Sequence, residues 1–437
     1  MQPSLQTSSR LRRSSSPLAH FTLANGLRVI LLQDHRVPLV TAQLWFHVGA
    51  SHEPHGQSGL SHALEHWVFE GSSKLAPGQY AKVLARLGGK PLAFTLDEAT
   101  LYVASVPVNR LEIVLEAQAD IMSSATLAEQ HFVSCRDALI NEHRLRVESS
   151  ADEQANRLHL QLAHGASPYA HSRYDHLDDL QGLGAEAVRA WYAKHYHPGN
   201  ATLVVAGDIL MPALREQVER HFDALPTQPQ HTYSGFRQTD TLFGREQTVR
   251  LPALRQGVIL SFNTPSLGST QSPAEVIALQ VAAALLSNGA SSRLYAELVR
   301  DEPLLRGIRS EFDVHLRGDT LMTWHSLLSP GPTSAQQASA RMLAVIDTLS
   351  HTPVSGVELQ RAKTKLLAQL IYQRDALQDH AYHIGRHALS GADLDLLERT
   401  PELIQAVTAD AVQEVARRYL TANRLTVTYT QPEEAAQ

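Results

Sequence analysis

The chain has 437 residues, 43% of them hydrophobic and 19% charged, the make-up of an ordinary globular protein with room for two or more domains. Its net charge of -6 gives no reason to expect nucleic acid or an acidic membrane surface as a partner. The single cysteine, Cys135, excludes an internal disulfide framework, and no apolar run approaches the ~20 residues of a membrane span.

Residues 1–20 contain Arg10, Arg12 and Arg13, many serines and no acid. That composition suits a disordered polar tail or an organellar transit peptide, and the weak amphipathic periodicity favours the tail. There is no secretory h-region. A bacterial cytoplasmic location is expected, with the mitochondrial matrix as the minority alternative. Strands are expected at 27–32 and 40–48. A polar, glycine-bearing loop from Glu53 to Leu60 follows, and Ser61 is a candidate helix start.

The helix that begins there holds the most informative run in the chain, His62-Ala-Leu-Glu65-His66. Two histidines four apart project from one helical face, where both imidazoles can reach one metal ion. Glu65 shares that face without needing to bind, the place for a general base acting on a water at the metal. Leu60, Leu64, Trp67 and Val68 are apolar on the other flanks, and the helix should stop near Gly71. The order H-x-x-E-H is the inverzincin signature. A catalytic zinc needs a third protein ligand, and Glu142, in a helical stretch from about 127 to 147, is the candidate.

The remaining elements of the first half are a strand at 100–106 and helices at 109–122 and 185–196. The second half should have strands at 248–262 and 320–328 and helices at 273–287, 333–350 and 355–379. A faint repeat joins the halves. Tyr196-His-Pro-Gly-Asn200 leads into a β-rich run, Thr202 to Ala206, and Tyr419-Leu-Thr-Ala-Asn423 leads into another, Leu425 to Tyr429. Strands and helices do not alternate strictly, which argues α+β, each half an antiparallel sheet with helices on one face. The expected division is a tail at 1–20, a zinc-bearing domain at 21–225, a linker at 226–244 and a homologous domain at 245–432.

From about Phe21 to Thr430 the sequence resembles the pitrilysin (insulinase) family of zinc metallopeptidases. The resemblance is to its half-length branch, which holds mitochondrial processing peptidase and bacterial relatives. It rests on Asn25-Gly-Leu-Arg-Val-Ile-Leu31, Gly59 to His66 with Phe69, Gly88-Gly89, Ala93-Phe-Thr95, Pro168-Tyr169, Tyr196 to Asn200 and Gly207-Asp208. In that family the third zinc ligand is a glutamate 76 residues after the second histidine, which falls on Glu142. The resemblance implies one Zn2+ per chain and two similar α+β halves forming one side of a clamshell. It also implies that a peptide substrate is held as an added strand on a sheet edge beside the metal.

The segment matching that edge is Lys90 to Phe94, where Leu92 replaces the usual asparagine and Pro91 lacks an N–H. Leu92, Ala93 and Phe94 are the substrate-side candidates. Phe69 matches a position lining the leaving side of the scissile bond, though core packing explains it equally well. Cys135 stands where the family commonly has a glutamate supporting the metal site. It is either a thiolate near zinc or, more simply, a small buried hydrophobe. Arg300 matches an arginine that holds the substrate carbonyl, but the tyrosine seven residues on is replaced by Gly307.

The reading is therefore a zinc endopeptidase subunit that cleaves unfolded peptides. Its expected partner is a related subunit lacking H-x-x-E-H and supplying the Arg–Tyr pair; a homodimer is the other arrangement. The alternative function is a non-catalytic scaffold subunit. His380, His383 and His387, spaced for one helix face, read as surface histidines.

Overall fold

In the computed structural model, residues 18–172, 175–229, 235–237 and 242–433 are described. Two sheets organise them. The first holds six strands: β1 (Leu18–Thr22), β2 (Arg28–Gln33), β3 (Leu39–Phe46), β4 (Pro91–Thr95), β5 (Thr100–Pro107) and β6 (Ala201–Gly207), in the order β1-β2-β6-β3-β5-β4. The second holds β7 (Arg245–Leu251), β8 (Gly257–Thr264), β9 (Leu305–Phe312), β10 (Thr320–Leu328) and β11 (Leu425–Pro432), in the order β7-β11-β8-β10-β9.

The sheets are mainly antiparallel, with one parallel pair each: β2 with β6, and β7 with β11. Both parallel pairs have the same origin. The chain leaves the sheet for a run of helices and returns at the end of the half, as a crossover requires. The sequence repeat sits at this return. Short turns at Pro198–Asn200 and Ala422–Arg424 feed β6 and β11, which occupy equivalent slots in the two sheets.

Several boundaries move. β1 includes residues 18–20, which therefore belong to the sheet rather than to the tail; residues 1–17 lie outside the described residues. β1 is a half-exposed edge strand fastened by buried Phe21, too polar to register as an apolar run. The expected 248–262 strand is two strands, broken at Pro252-Ala253, where Ala253 has φ 58°. The 355–379 helix ends at Gln373, and a separate helix runs Leu377–Leu389. Within the expected linker, Phe236 is already fixed to the second half, its carbonyl accepting the Asp319 N–H at 2.8 Å.

Each half packs its own helices on one face of its sheet, as expected. The opposite faces are closed by exchange. The helix Leu377–Leu389 from the second half lies on β3 and β6, where Ala381, Ile384 and Leu389 join Ile30, Trp45 and Val204 in one core. Gly385 permits this approach, since a Cβ there would stand 2.2 Å from the Trp45 ring. In return, the helix Ala151–His164 lies on β7, β8 and β11, and buried His159 bridges Thr428 Oγ1 at 2.8 Å and Ser261 Oγ at 2.6 Å. This double crossing joins the halves through buried surface, which favours one fixed arrangement over two loosely tethered domains.

Candidate metal centre

The helix Leu60–Trp67 follows β3 and has the division its sequence suggests. Leu60, Ala63, Leu64 and Trp67 are buried, while His62, Glu65 and His66 face outward on a half-exposed side. Its start is Gly59 rather than Ser61. Gly59 adopts φ 96°, and a Cβ there would lie 2.4 Å from the Leu180 side chain. The cap comes from the preceding loop: the Glu53 carboxylate accepts the Gly59 N–H at 2.7 Å and the Ser61 N–H at 2.6 Å. The other end is held by Trp67, whose ring packs on Phe132 at 4.8 Å between centroids, tying this helix to Glu129–His143.

That second helix delivers Glu142. Glu142 Oε2 lies 3.9 Å from both His62 Nε2 and His66 Nε2. All three donor atoms fall within 4.8 Å of one another, the one such group of three among the described residues. Donors at about 2.0–2.1 Å around a tetrahedral zinc stand about 3.4 Å apart, so each Glu142–histidine separation would contract by about 0.5 Å on binding. The other Glu142 oxygen receives Arg146 at 2.7 Å from the next turn, which leaves Oε2 for the histidines. The expected 127–147 helix changes character here: it ends at His143 and continues as a wider π-turn from Arg144 to Glu148. Such turns recur at functional sites.

The charge around the donors fits a cation. Burial alone would lower the His62 pKa, but the Asp175 hydrogen bond and the charges of Asp175, Glu65 and Glu142 outweigh it and push it up to about 9. The carboxylates around His62 thus favour positive charge at this point, which a metal ion would supply. His62 Nδ1 meets Asp175 Oδ2 at 2.7 Å, which leaves Nε2 for the ion. This carboxylate–imidazole pairing is the usual support for a metal-bound histidine. Burial, then the charge of Asp175, pushes Glu53 up to about 8. Glu65 is also raised, chiefly by burial, while Thr95 Oγ1 donates to its Oε2 at 2.6 Å. A carboxylate of raised basicity, oriented by one hydrogen bond and beside the donor set, is equipped to accept a proton.

Thr95 closes the edge strand β4, which pairs with β5 and leaves its other edge free. Ala93 pairs with Tyr102 and is half-buried, while Leu92 and Phe94 point the other way and are exposed. Phe69 is half-buried against Tyr80 and Tyr102, at 5.1 and 5.6 Å between ring centres. Cys135 is buried in the first-half core, and burial with the nearby Glu70 charge pushes its thiol up to about 11. It is a neutral core residue and not part of the donor group.

In the second half, Arg300 is exposed and donates to its neighbour Asp301 at 2.7 and 3.0 Å. Gly307 lies on the edge strand β9, and a Cβ there would meet nothing within 4 Å. The surface reading of the helix histidines needs correcting, because His387 is buried and both His383 and His387 line a cavity. Their helix turns inward onto the first sheet, which its sequence alone does not reveal.

Sequence reasoning missed Asp175, Thr95, Glu53 and Arg146. Asp175 is 113 positions from His62 and lies in an irregular segment, so no spacing rule reaches it. Thr95 belongs to a run singled out for its neighbours, and its polarity beside an apolar pair was the available signal.

Helix-borne imidazoles and a distant carboxylate make a candidate metal centre, with Glu65 beside it. The chain belongs to the insulinase family of peptidases, family M16: the model described as Insulinase (Peptidase family M16) matches residues 28–170, and that described as Peptidase M16 inactive domain matches residues 182–366. It is similar to the zinc protease PqqE of Helicobacter pylori, at 24% identity over 94% of this chain and 92% of that protein. It is also similar to a probable mitochondrial-processing peptidase subunit beta of Arabidopsis thaliana, at 23% identity over 91% of this chain and 75% of the other. A crystal structure of a protease from Helicobacter pylori superposes with a TM-score of 0.87 at 23% identity, covering 95% of this chain and all of that one. Among the described residues, no helix is long and apolar enough to cross a membrane.

Proposed function

We propose that the chain is the metal-bearing subunit of a zinc endopeptidase that hydrolyses peptide bonds in unfolded peptides. The carrying observation is the convergence of His62, His66 and Glu142 beside Glu65, whose carboxylate is held by Thr95. His62, His66 and Glu142 would hold one zinc, with Asp175 orienting His62. Zinc, when bound, supplies Lewis acidity that polarises the substrate carbonyl and acidifies a water. Glu65 takes the proton from the attacking water and passes it to the leaving amine. The free edge of β4 accepts the substrate backbone as a further strand, with Pro91 contributing no N–H to that pairing. In the scaffold alternative, Glu65 and Thr95 would have no task.

The second half contributes less. Arg300 is engaged with Asp301, and Gly307 offers no side chain where the substrate carbonyl would need a donor. A related subunit carrying an Arg–Tyr pair would complete the cavity, and the name of the Arabidopsis relative makes that protein one subunit of an assembly. A bacterial cytoplasmic location accords with this reading. Chelator-stripped protein, reconstituted with zinc and mixed with a quenched unfolded peptide, tests the function. Hydrolysis should follow zinc content and be abolished by stripping. Hydrolysis indifferent to zinc, or no hydrolysis by any assembly of the zinc-loaded chain, would reject it.

A further inference from the structure

The strand that orients the candidate base runs straight into a contact with the second half. Thr95, which donates to Glu65, is followed by the turn 96–99, closed by the Leu96 N–H on the Ala99 carbonyl at 2.7 Å. One side of this turn receives the chain leading to the metal-centre helix. The Ala50 N–H bonds the Leu96 carbonyl at 3.0 Å, and the Ser51 N–H and hydroxyl bond that of Asp97 at 2.8 and 2.6 Å. Gly49 permits the approach, since a Cβ there would stand 2.2 Å from the Leu96 oxygen.

The other side of the turn presents Glu98, which is only 4% exposed. Its Oε1 accepts the Tyr169 hydroxyl at 2.5 Å, and its Oε2 accepts the Arg317 N–H at 3.0 Å. The Gly318 N–H donates in turn to the Tyr169 oxygen at 3.0 Å, which closes a ring of bonds. Arg317 and Gly318 belong to the second half, in the turn from β9 to β10. A Cβ on Gly318 would stand 2.9 Å from the Tyr169 ring and from the Phe236 backbone, so the contact leaves no room to slide. Burial raises the Glu98 pKa, against the charge of Arg317 and the bond from Tyr169. A buried carboxyl group is costly unless its oxygens are filled, so these donors determine where the turn rests.

We propose that Glu98 and Tyr169 are positioning residues through which the second half holds Thr95, and with it Glu65, in place; the role in catalysis rests on the peptidase reading of the centre. Removing the Tyr169 hydroxyl deprives Glu98 Oε1 of its short donor and the Gly318 N–H of its acceptor. The turn 96–99 then relaxes, and Thr95 loses its fixed approach to Glu65. His62, His66 and Glu142 sit on helices outside this ring of bonds and keep their places. The second half thus serves the centre through the seat of its edge strand.

Two measurements on Y169F test this, with E98Q as the second variant; melting curves identify the folded ones, and either decides if the other fails to fold. Amide hydrogen exchange in the segment 95–99 should quicken roughly tenfold, while β3 and β6 exchange as in the wild type. With zinc bound, Y169F should lower kcat roughly tenfold at unchanged KM and zinc content. T95A/Y169F should stay within about twofold of T95A alone, because both changes act through one hydrogen bond. A purely structural role would give effects that multiply. Unchanged exchange at 95–99 in a folded variant, or a loss that multiplies with that of T95A, would overturn the proposal. Exchange is read without any turnover, so a chain that cleaves nothing fails the peptidase reading while the hold on Thr95 is still judged.

Discussion

The two halves share a scaffold and differ in what they mount on it. The strand β3 is followed by Leu60–Trp67, a short helix with two histidines and a glutamate on its open face. The equivalent strand β8 is followed by Pro273–Ser287, an apolar helix with nine buried residues and no histidine. The edge strands differ in the same way. β4 ends in Thr95, bonded to the candidate base, whereas β9 carries Gly307 facing open space. The strand order is shared, while the candidate donor group lies in the first half. A sheet-and-helix layer tolerates this because its stability resides in the buried faces, leaving one helix face free to carry a site.

That asymmetry can be broken most sharply at the histidines. The wild-type chain should hold about one zinc at the first centre, and H62Q/H66Q should lose that zinc together with all hydrolysis. Elemental analysis and a peptide assay on the same preparation check it, and a double variant that still cleaves would refute the division of labour. The next largest effect concerns the second half. A partner supplying an arginine and a tyrosine opposite the metal should raise the isolated chain's rate by ~10²–10³, the usual worth of an oxyanion-side donor. Equal rates for the chain alone and the pair would remove the need for a partner.

Smaller changes sharpen the picture within the first half. D175N leaves His62 without its anionic support, so zinc affinity should drop by roughly 10–100-fold while the fold is kept, as competition with a chelator would measure. T95A removes one charge-assisted hydrogen bond from Glu65. About 1.5 kcal/mol is at stake, so kcat should fall roughly tenfold with zinc content unchanged. A T95A variant that loses zinc instead would show that Thr95 supports the ligands rather than the base.

The grouping of His62, His66 and Glu142 was legible because helical spacing fixes His62, Glu65 and His66 on one face, and a family resemblance supplied Glu142 across 76 positions. Asp175 and Glu53 were not legible, since loops bring them in through tertiary contacts with no periodic trace. For the fold, the repeat at Tyr196 and Tyr419 located both returning strands. The exchange of helices between halves was invisible, because amphipathic patterning says that a helix buries a face and not which sheet receives it. The histidines at 383 and 387 were misread as surface residues for that reason.

In the proposed function Glu65 performs the proton transfer while His62, His66 and Glu142 hold the metal. E65Q keeps the shape of the side chain and its contact with Thr95 but cannot accept a proton. Zinc content and peptide hydrolysis should be measured side by side on E65Q and wild type, each assembled with whatever partner gives the higher rate. Zinc per chain should be unchanged and hydrolysis lowered by roughly 10²-fold or more. E65Q cleaving at the wild-type rate with its zinc in place would contradict it.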